Sequence, residues 1–363
     1  MGDPLNISNK LGIGVIGLFM GRNMLYVNRL ESAKSEVRAV CDTDEDRLLK
    51  NKIEFGIPFA STDFRAVIDR PDVDIVGIFT PDHLHMEMIR YALRAGKHVI
   101  CTKPMVVSLQ EAKETVDLVR QHKLKFLTGQ TRRYVSHHMQ AKQLYDSGKI
   151  GTPLLAEASY IHGDMWKVFD RGAWRYEVPQ KTVYGGLCHP VDHLRWYFGD
   201  VDEVFAYGAP SAVDTRYPQD EPINIIASLK FKSGLIARVI NACGIIEPPY
   251  GSQSDVMPME GVSIYGTKGT ITNYHARYFE NGLRSEAVTV DFSKDENTLD
   301  FDGQEYAGHT ASVLRYIKEM EDCIINDKTP AVDAVEGAKA VAVCGAVEES
   351  MITGLPVKVF NDF

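Results

Sequence analysis

The chain has 363 residues, 44% of them hydrophobic, and its 40 basic and 49 acidic residues give a formal net charge of −9. This length predicts two domains, because single hydrophobic cores stop growing at roughly 250–300 residues. The apolar fraction is that of a globular protein and excludes wholesale disorder. The acidic balance gives no general electrostatic reason to bind nucleic acid or an anionic membrane surface. We therefore expect a small-molecule ligand, no nucleic acid and no membrane.

The cysteines and the first residues bear on the cellular compartment. Six scattered cysteines with no Cys-x-x-Cys pair predict free thiols in a reducing compartment, not a disulfide framework or a zinc ribbon. The start, 1–6, has no basic segment followed by a long apolar run, and the apolar stretches are all strand-sized. These features predict a soluble, cytoplasmic protein.

The first third of the chain alternates short apolar runs with helical patterns. A capping box of Ser108 with Glu111 marks the start of one helix. The predicted strands are 11–17, 36–41, 74–79, 98–101 and 124–129, and the other predicted helices are 21–31, 44–55 and 85–95. This alternation indicates βαβ units with right-handed crossovers, and hence a doubly wound parallel sheet of the Rossmann type.

The pattern changes near residue 150. Alternating apolar and polar residues predict antiparallel strands at 155–160, 225–231 and 234–240, a hairpin over 262–271, and helices at 310–325 and 332–351. We therefore expect a nucleotide-binding α/β domain over 1–130 and a second α/β domain over 131–363. The C-terminal helices of the second domain are expected to pack back on the first.

A glycine-rich turn follows the first predicted strand. The literal G-x-G-x-x-G of 12–17 lies inside the strand, whereas phosphates bind at the turn after it. That turn keeps the outer glycines, Gly17 and Gly21, but is one residue short and has Phe19 near the usual middle glycine. We predict that Gly17, Phe19, Met20 and Gly21 bind the pyrophosphate of a dinucleotide. A tight turn without a ligand is the alternative.

An acidic residue follows the second predicted strand. Asp42 is close to the spacing at which a carboxylate accepts hydrogen bonds from the adenosine ribose. A carboxylate there suits a free 2′-hydroxyl and repels a 2′-phosphate, and 43–46 contain no arginine. We therefore predict NAD over NADP. The alternative role for Asp42 is that of a helix N-cap.

Polar residues follow three further strands, at the edge where ligands of open parallel sheets bind. Thr80, Pro81 and His85 follow one strand, Lys103 follows the next, and Gln130 follows the last of the predicted sheet. We predict that all five border the cofactor. For Lys103, the alternative is an ordinary solvated lysine.

A histidine stands in a predicted helix entrance. Pro190 suits the first turn of a helix, which places His189 at its start and Asp192 one turn later on the same side. An imidazole suits removal of a hydroxyl proton. A zinc site on His189 and His193 requires Glu at position 190, where this chain has Pro, so we predict no metal. A purely structural His189 remains the alternative.

Other polar and aromatic residues are typical of sugar pockets. Arg132 and Tyr134 lie just past a predicted strand, where they suit an anionic or polyhydroxylated ligand. Trp174 and Arg175 offer an apolar face and a polar edge. We predict substrate contacts for these four residues and for Asp192, with packing or salt bridging as the alternative.

Taken together, these segments resemble the Gfo/Idh/MocA family, the relatives of glucose–fructose oxidoreductase and inositol dehydrogenase. The resemblance rests on the order and spacing of motifs at 14–17, 41–42, 74–81, 95–99, 103–104, 148–151, 174–175, 189–196, 266–269 and 308–309. It implies a Rossmann domain followed by an α/β domain with a large, mainly antiparallel open sheet. Because that sheet commonly packs on another subunit, a homodimer or homotetramer is implied.

The resemblance also implies an activity. Members of the family use NAD or NADP to oxidise or reduce a hydroxyl of a sugar, inositol or related compound. The family's catalytic lysine falls on Lys103 and its histidine on His189, so the expected reaction has His189 take the hydroxyl proton while Lys103 hydrogen-bonds the same oxygen. The Glu before the family's lysine is Thr102 here, and the frequent catalytic Asp falls on Gly185. The carboxylate that remains nearby is Asp192.

Two other functions fit the same residues. One is a lyase or glycosidase that retains NAD and oxidises a sugar carbon transiently before elimination. The other is a dinucleotide-binding protein without catalysis, which Thr102 and Gly185 favour.

Overall fold

The chain folds into two compact units. The computed structural model describes residues 10–164, 167, 170, 174–178, 180–246, 260–293 and 298–363. The first unit contains the residues up to Met105 together with Glu114–Thr131 and Thr298–Ala334. The second contains Val106–Lys113, Arg132–Asn297 and Val335–Phe363.

The first unit is built on a six-stranded parallel sheet. Its order is β3-β2-β1-β4-β5-β6, the order of a doubly wound Rossmann sheet. The central strands are almost wholly buried, as a parallel sheet covered on both faces requires. The strands are β1 Leu11–Ile16, β2 Ser35–Cys41, β3 Phe59–Ser61, β4 Ile75–Ile78, β5 His98–Thr102 and β6 Phe126–Gly129.

Helices connect these strands, and three of them begin at a recognisable capping residue. Asp44 caps α2, Asp63 caps α3, and the hydroxyl of Ser108 accepts a hydrogen bond from the Glu111 amide in the capping box before α5. The helices are α1 Arg22–Leu25, α2 Glu45–Phe55, α3 Phe64–Ile68, α4 His85–Arg94 and α5 Leu109–His122.

The second unit is built on a nine-stranded sheet of order β14-β13-β12-β11-β7-β10-β9-β8-β17. All its pairs are antiparallel except β7 with β10. The strands are β7 Pro153–Ile161, β8 Val201–Ala209, β9 Asn224–Phe231, β10 Ile236–Ala242, β11 Glu260–Gly266, β12 Gly269–Thr272, β13 His275–Tyr278, β14 Val288–Asp291 and β17 Val357–Lys358.

Helices and one hairpin complete the described part of the chain. A separate hairpin, β15 Thr298–Phe301 with β16 Gln304–Ala307, belongs to the first unit, as does α10 Gly308–Ile325. The remaining helices are α6 Ser136–Asp146, α7 Trp174–Glu177, α8 Thr182–Gly185, α9 Cys188–Phe198 and α11 Ala334–Thr353. Among the helices described, none is long and apolar enough to cross a membrane.

The predicted fold class is confirmed, and the prediction is corrected at two places in the first unit. The helix predicted over 21–31 ends at Leu25, and the chain continues as a 3-10 turn. The reason is that the Asn28 side chain hydrogen-bonds to Val37 on β2: its amide nitrogen donates to the Val37 carbonyl oxygen, and its oxygen accepts from the Val37 backbone amide. The short β3 and α3 were not predicted from the sequence.

Candidate functional site

The turn after β1 is built around two glycines. Gly17 has a φ of 85°, and a Cβ there would lie 2.7 Å from the carbonyl of Phe79. A Cβ on Gly21 would lie 2.2 Å from the Gly17 oxygen, so both glycines are required by close backbone contacts. The Phe19 side chain is 57% exposed and Met20 is 38% exposed, so neither is packed into the core. The backbone therefore requires glycine at both positions, and the binding of a pyrophosphate by this turn stays a prediction.

The carboxylate of Asp42 lies directly beside this turn. It accepts a hydrogen bond from the Leu18 amide over 2.7 Å and another from the Asp44 amide over 2.9 Å. The N-cap of α2 is Asp44, not Asp42, so the alternative role does not apply. The first turn of α2 also brings Arg47 against Asp42, with Nη1 3.1 Å from Oδ1. Arg47 was not predicted from the sequence, although its position one helical turn after the cap was a usable signal.

His85 connects two of the loops that were predicted to border the cofactor. It is fully buried, with one ring nitrogen 2.9 Å from the Pro104 carbonyl oxygen and the other 2.9 Å from that of Thr80. Burial lowers the pKa of this imidazole. Both ring nitrogens thus face backbone carbonyl groups of the first unit. These two contacts hold the segments after β4 and β5 in fixed positions. Pro81 and Thr80 are half-buried at that edge.

Lys103 and Gln130 follow β5 and β6 directly. Lys103 is half-buried and precedes Pro104 through a cis peptide bond. Gln130 is buried, and its backbone amide donates a hydrogen bond to the Thr128 carbonyl oxygen over 2.7 Å. Both residues therefore lie at the carboxyl edge of the parallel sheet, where ligands of such folds bind.

In the second unit, His189 lies in the first turn of α9 as predicted. Its side chain is buried, and its ring stacks on that of Tyr160 of β7 with centroids 4.8 Å apart. The His162 ring is a second neighbour of Tyr160, with centroids 4.4 Å apart. Burial, with the nearby Glu260 carboxylate, raises the pKa of Tyr160, so its phenol stays protonated. The stack fixes the plane of the His189 imidazole.

Glu260 joins this group, and sequence reasoning missed it. Its carboxylate contacts both the guanidinium of Arg132 and Nε2 of His162. The pairing of β11 with β7 places Glu260 opposite Tyr160. Nothing near Glu260 in the sequence indicates this, because its partners lie about a hundred residues earlier in the chain. Tyr134, which was also predicted to contact substrate, is buried. It follows Arg132 closely in the sequence.

Asp192 is held by arginine. Arg133 donates two hydrogen bonds to it and lies 3.2 Å from Glu336, which also contacts Arg195. These two arginines lower the pKa of the Glu336 carboxyl despite its burial. The result is a buried network of alternating charges that connects α9, α11 and the segment after β6.

The space beside Gly185 is filled. A Cβ at this position would lie 2.9 Å from the side-chain amide of Gln180. Gln180 in turn accepts a hydrogen bond from Nε of Arg175 over 3.1 Å. Arg175 is therefore held against Gln180, and the side chain of Trp174 lies outside the described residues.

Three imidazoles lie next to one another in the second unit. The His138 ring is 4.0 Å from that of His137 and 4.3 Å from that of His193. Burial lowers the pKa of His137 to about 4 and holds the pKa values of His138 and His193 well below the usual value for histidine. Within the described ranges, no group of three or more His, Cys, Asp or Glu is placed to hold a metal ion.

Comparison with known proteins gives the same architecture. Residues 11–130 match the model of an oxidoreductase family with an NAD-binding Rossmann fold, and residues 142–359 match that family's C-terminal alpha/beta domain. Myo-inositol 2-dehydrogenase of Thermotoga maritima is 24% identical over 94% of this chain and 95% of its own length. Levoglucosan dehydrogenase of Pseudarthrobacter phenanthrenivorans is 25% identical over 85% and 81%. A solved levoglucosan dehydrogenase in complex with NADH and levoglucosan has a TM-score of 0.82 at 21% identity, covering 96% of this chain and 99% of its own, which shows the shared fold.

Proposed function

Because the chain belongs to the Gfo/Idh/MocA oxidoreductase family, with an NAD-binding Rossmann fold at its N-terminal end, we propose that it transfers a hydride between NAD and a sugar, glycoside or cyclitol. The reacting group of the substrate is a hydroxyl or, in the reverse direction, a carbonyl. The observation that carries the proposal is the placement of His189. Its imidazole is buried and stacks on Tyr160, and it lies in the same unit as the contacts of Glu260 with Arg132 and His162.

The residues have distinct roles. A bound nicotinamide supplies the hydride acceptor. His189 takes the hydroxyl proton at an imidazole nitrogen, since histidine is the side chain that most often serves as a general base. Lys103 donates a hydrogen bond to the substrate oxygen and favours its anionic form. Arg132, Tyr134, Trp174, Arg175 and Asp192 remain predicted substrate residues.

A substrate screen tests the proposal. The protein is incubated with NAD and a panel of sugars, glycosides and inositols while NADH absorbance and product masses are followed together. Net NADH formation with a product two mass units lighter supports the dehydrogenase. Turnover without added NAD and without net NADH points to elimination instead, and NAD binding with no turnover on any compound points to a non-catalytic protein.

Assembly and compartment are further parts of the proposal. The nine-stranded sheet has one face on which Leu155, Tyr207, Ile226 and Ile236 are each at least 45% exposed, which supports a homodimer or homotetramer built on that face. All six cysteines are free and buried, which supports the reducing environment of the cytoplasm.

A further inference from the structure

We propose that Glu260 determines which charge of substrate this protein accepts, so that uncharged sugars and polyols bind and sugar acids and sugar phosphates are rejected. This rests on the proposed function, because it concerns the substrate of that reaction. Four side chains lie around Tyr160 of β7 and form what we call the Tyr160 group: His189, His162, Arg132 and Glu260. The two imidazoles are centred 4.8 Å and 4.4 Å from the Tyr160 ring centre, and the Arg132 guanidinium carbon lies 5.8 Å from it. The pairing of β11 with β7 places Glu260 opposite Tyr160.

Within the Tyr160 group, Glu260 balances the charge of Arg132. The Arg132 side chain is 6% exposed and that of Glu260 is 36% exposed, so the guanidinium is buried while the carboxylate is within reach of solvent. Arginine binds carboxylates and phosphates through paired N–H donors, so an unbalanced Arg132 would attract an anionic ligand. With Glu260 in contact with Nη2 of Arg132, the two charges cancel. An anionic ligand would lie against the Glu260 carboxylate, and charges of the same sign repel strongly where little water screens them.

Glu260 also fixes how His162 can bind a ligand. Oε1 of Glu260 contacts Nε2 of His162, whereas Oε2 contacts Arg132. In the neutral imidazole the proton is then held on Nε2, and Nδ1 is a hydrogen-bond acceptor. A hydroxyl group donates to an imidazole nitrogen or a carboxylate oxygen without adding charge, whereas an ionised carboxylate is an acceptor only. The Tyr160 group therefore suits the hydroxyls of an uncharged polyol.

Paired compounds test this. D-glucose is compared with D-glucuronate, D-galactose with D-galacturonate, and myo-inositol with myo-inositol 1-phosphate. Calorimetry measures the binding of each to the protein saturated with NADH, at low and high salt, and hydride transfer to NAD is followed separately. The proteins are the wild type, Glu260→Gln, Arg132→Gln and the double variant of both. The matched control is Glu280→Gln, since Glu280 of the same unit contacts Lys149 at the surface.

We expect the wild type to bind the neutral member of a pair at least about tenfold more tightly than its acid or phosphate. Glu260→Gln should reduce this ratio about tenfold or more, mainly by tighter binding of the anion to the unbalanced Arg132, and high salt should weaken that gain. Arg132→Gln leaves the Glu260 charge alone and should increase the ratio. The double variant is neutral again and should return towards the wild-type ratio, which Glu280→Gln should keep.

Three results overturn the proposal: a wild type that binds the anions as tightly as the neutral compounds, a wild type that binds no neutral compound, and an unchanged ratio in Glu260→Gln. If Glu260→Gln does not fold, Arg132→Gln decides, and an unchanged ratio there rejects the role of Glu260. The failure of the proposed function gives a different result. Binding with the expected ratio but no NADH from any compound contradicts hydride transfer alone, whereas NADH formed preferentially from the acids contradicts the role of Glu260 alone.

Discussion

Arg133 donates two hydrogen bonds to Asp192, from Nε to Oδ2 over 2.8 Å and from Nη2 to Oδ1 over 2.7 Å. The two side chains are only 7% and 1% exposed. Asp192 lies one turn after His189 on α9, and Arg133 directly follows Arg132 in the chain. The pair therefore connects the helix that carries the proposed base to the segment that carries Arg132, which gives Asp192 a positioning role. Its predicted contact with substrate stays a prediction.

Removing the charge of Asp192 should destabilise the second unit strongly. In Asp192→Asn, Glu336 is the carboxylate that remains to balance the charge of the buried Arg133 guanidinium. Breaking a buried ion pair of this kind costs about 3–5 kcal/mol. Urea unfolding measures the loss. The control is Asp146→Asn, which breaks the exposed pair with Lys142 and should cost less than about 1 kcal/mol. Equal losses in the two variants would show that the buried pair has no special importance.

Replacing Lys103 should affect the reaction and not the fold. Because Lys103→Met removes the group that hydrogen-bonds the substrate oxygen, turnover is expected to fall at least ~100-fold. The unfolding midpoint should stay close to that of the wild type. Lys328→Met, which breaks an exposed pair with Asp322, is the control and should stay fully active. A Lys103→Met enzyme with wild-type turnover would rule out the acid–base role.

The imidazoles of His137, His138 and His193 make the protein sensitive to acid. The folded state keeps them neutral, with the pKa of His137 lowered to about 4, whereas unfolded histidines bind a proton near pH 6.5. The unfolded chain therefore binds more protons below pH 6.5, and the free energy of unfolding decreases as the pH falls from 6.5 towards 4. Each group contributes up to about 1.4 kcal/mol per pH unit. Arg132, Arg133 and Glu260 also face the group, and the first two oppose its protonation.

Denaturant unfolding at several pH values measures this slope. His138→Leu removes one titrating group and should flatten the slope by about 1.4 kcal/mol per pH unit or less. His83→Gln changes an exposed histidine and should leave it unchanged. A slope that is the same in all three proteins would contradict the assignment to this cluster.

The sequence predicted the elements whose signals are local. Five of the six strands of the Rossmann sheet, the helical segment Asp44–Phe55 and the capping box at Ser108 were predicted from the sequence, because burial and capping impose fixed spacings. Contacts made across the sheet could not be predicted from the sequence. Glu260 reaches Arg132 and His162 only through the pairing of β11 with β7, and no local pattern encodes that register.

Gly185 shows the same limit at a single position. The sequence shows a missing side chain, and the structure shows that Gln180 fills the space. Gly185→Asp should therefore displace Gln180 and break its hydrogen bond with Arg175. Because the two positions are in contact, we expect the double variant Gln180→Ala/Gly185→Asp to be more stable than the sum of the single changes, by about 0.5–3 kcal/mol. Additive effects in a double-mutant cycle of unfolding free energies would show that the two side chains do not compete.

The exposed face of the nine-stranded sheet provides the test of assembly. Ile226 of β9 pairs with Tyr207 of β8, and Ile236 of β10 pairs with Lys230 on β9 and Leu155 on β7, so four large apolar side chains share one face. When a second copy of the chain covers apolar surface of this kind, its removal from water stabilises the assembly. Ile226→Asp places a charge in that face and should shift the protein towards the monomer at micromolar concentration, as measured by sedimentation velocity. Ile352→Asp changes an even more exposed isoleucine, on α11, and should not cause this shift. A wild type that sediments as a monomer at all concentrations would reject this interface, and an oligomer that survives Ile226→Asp would place the contact on another surface.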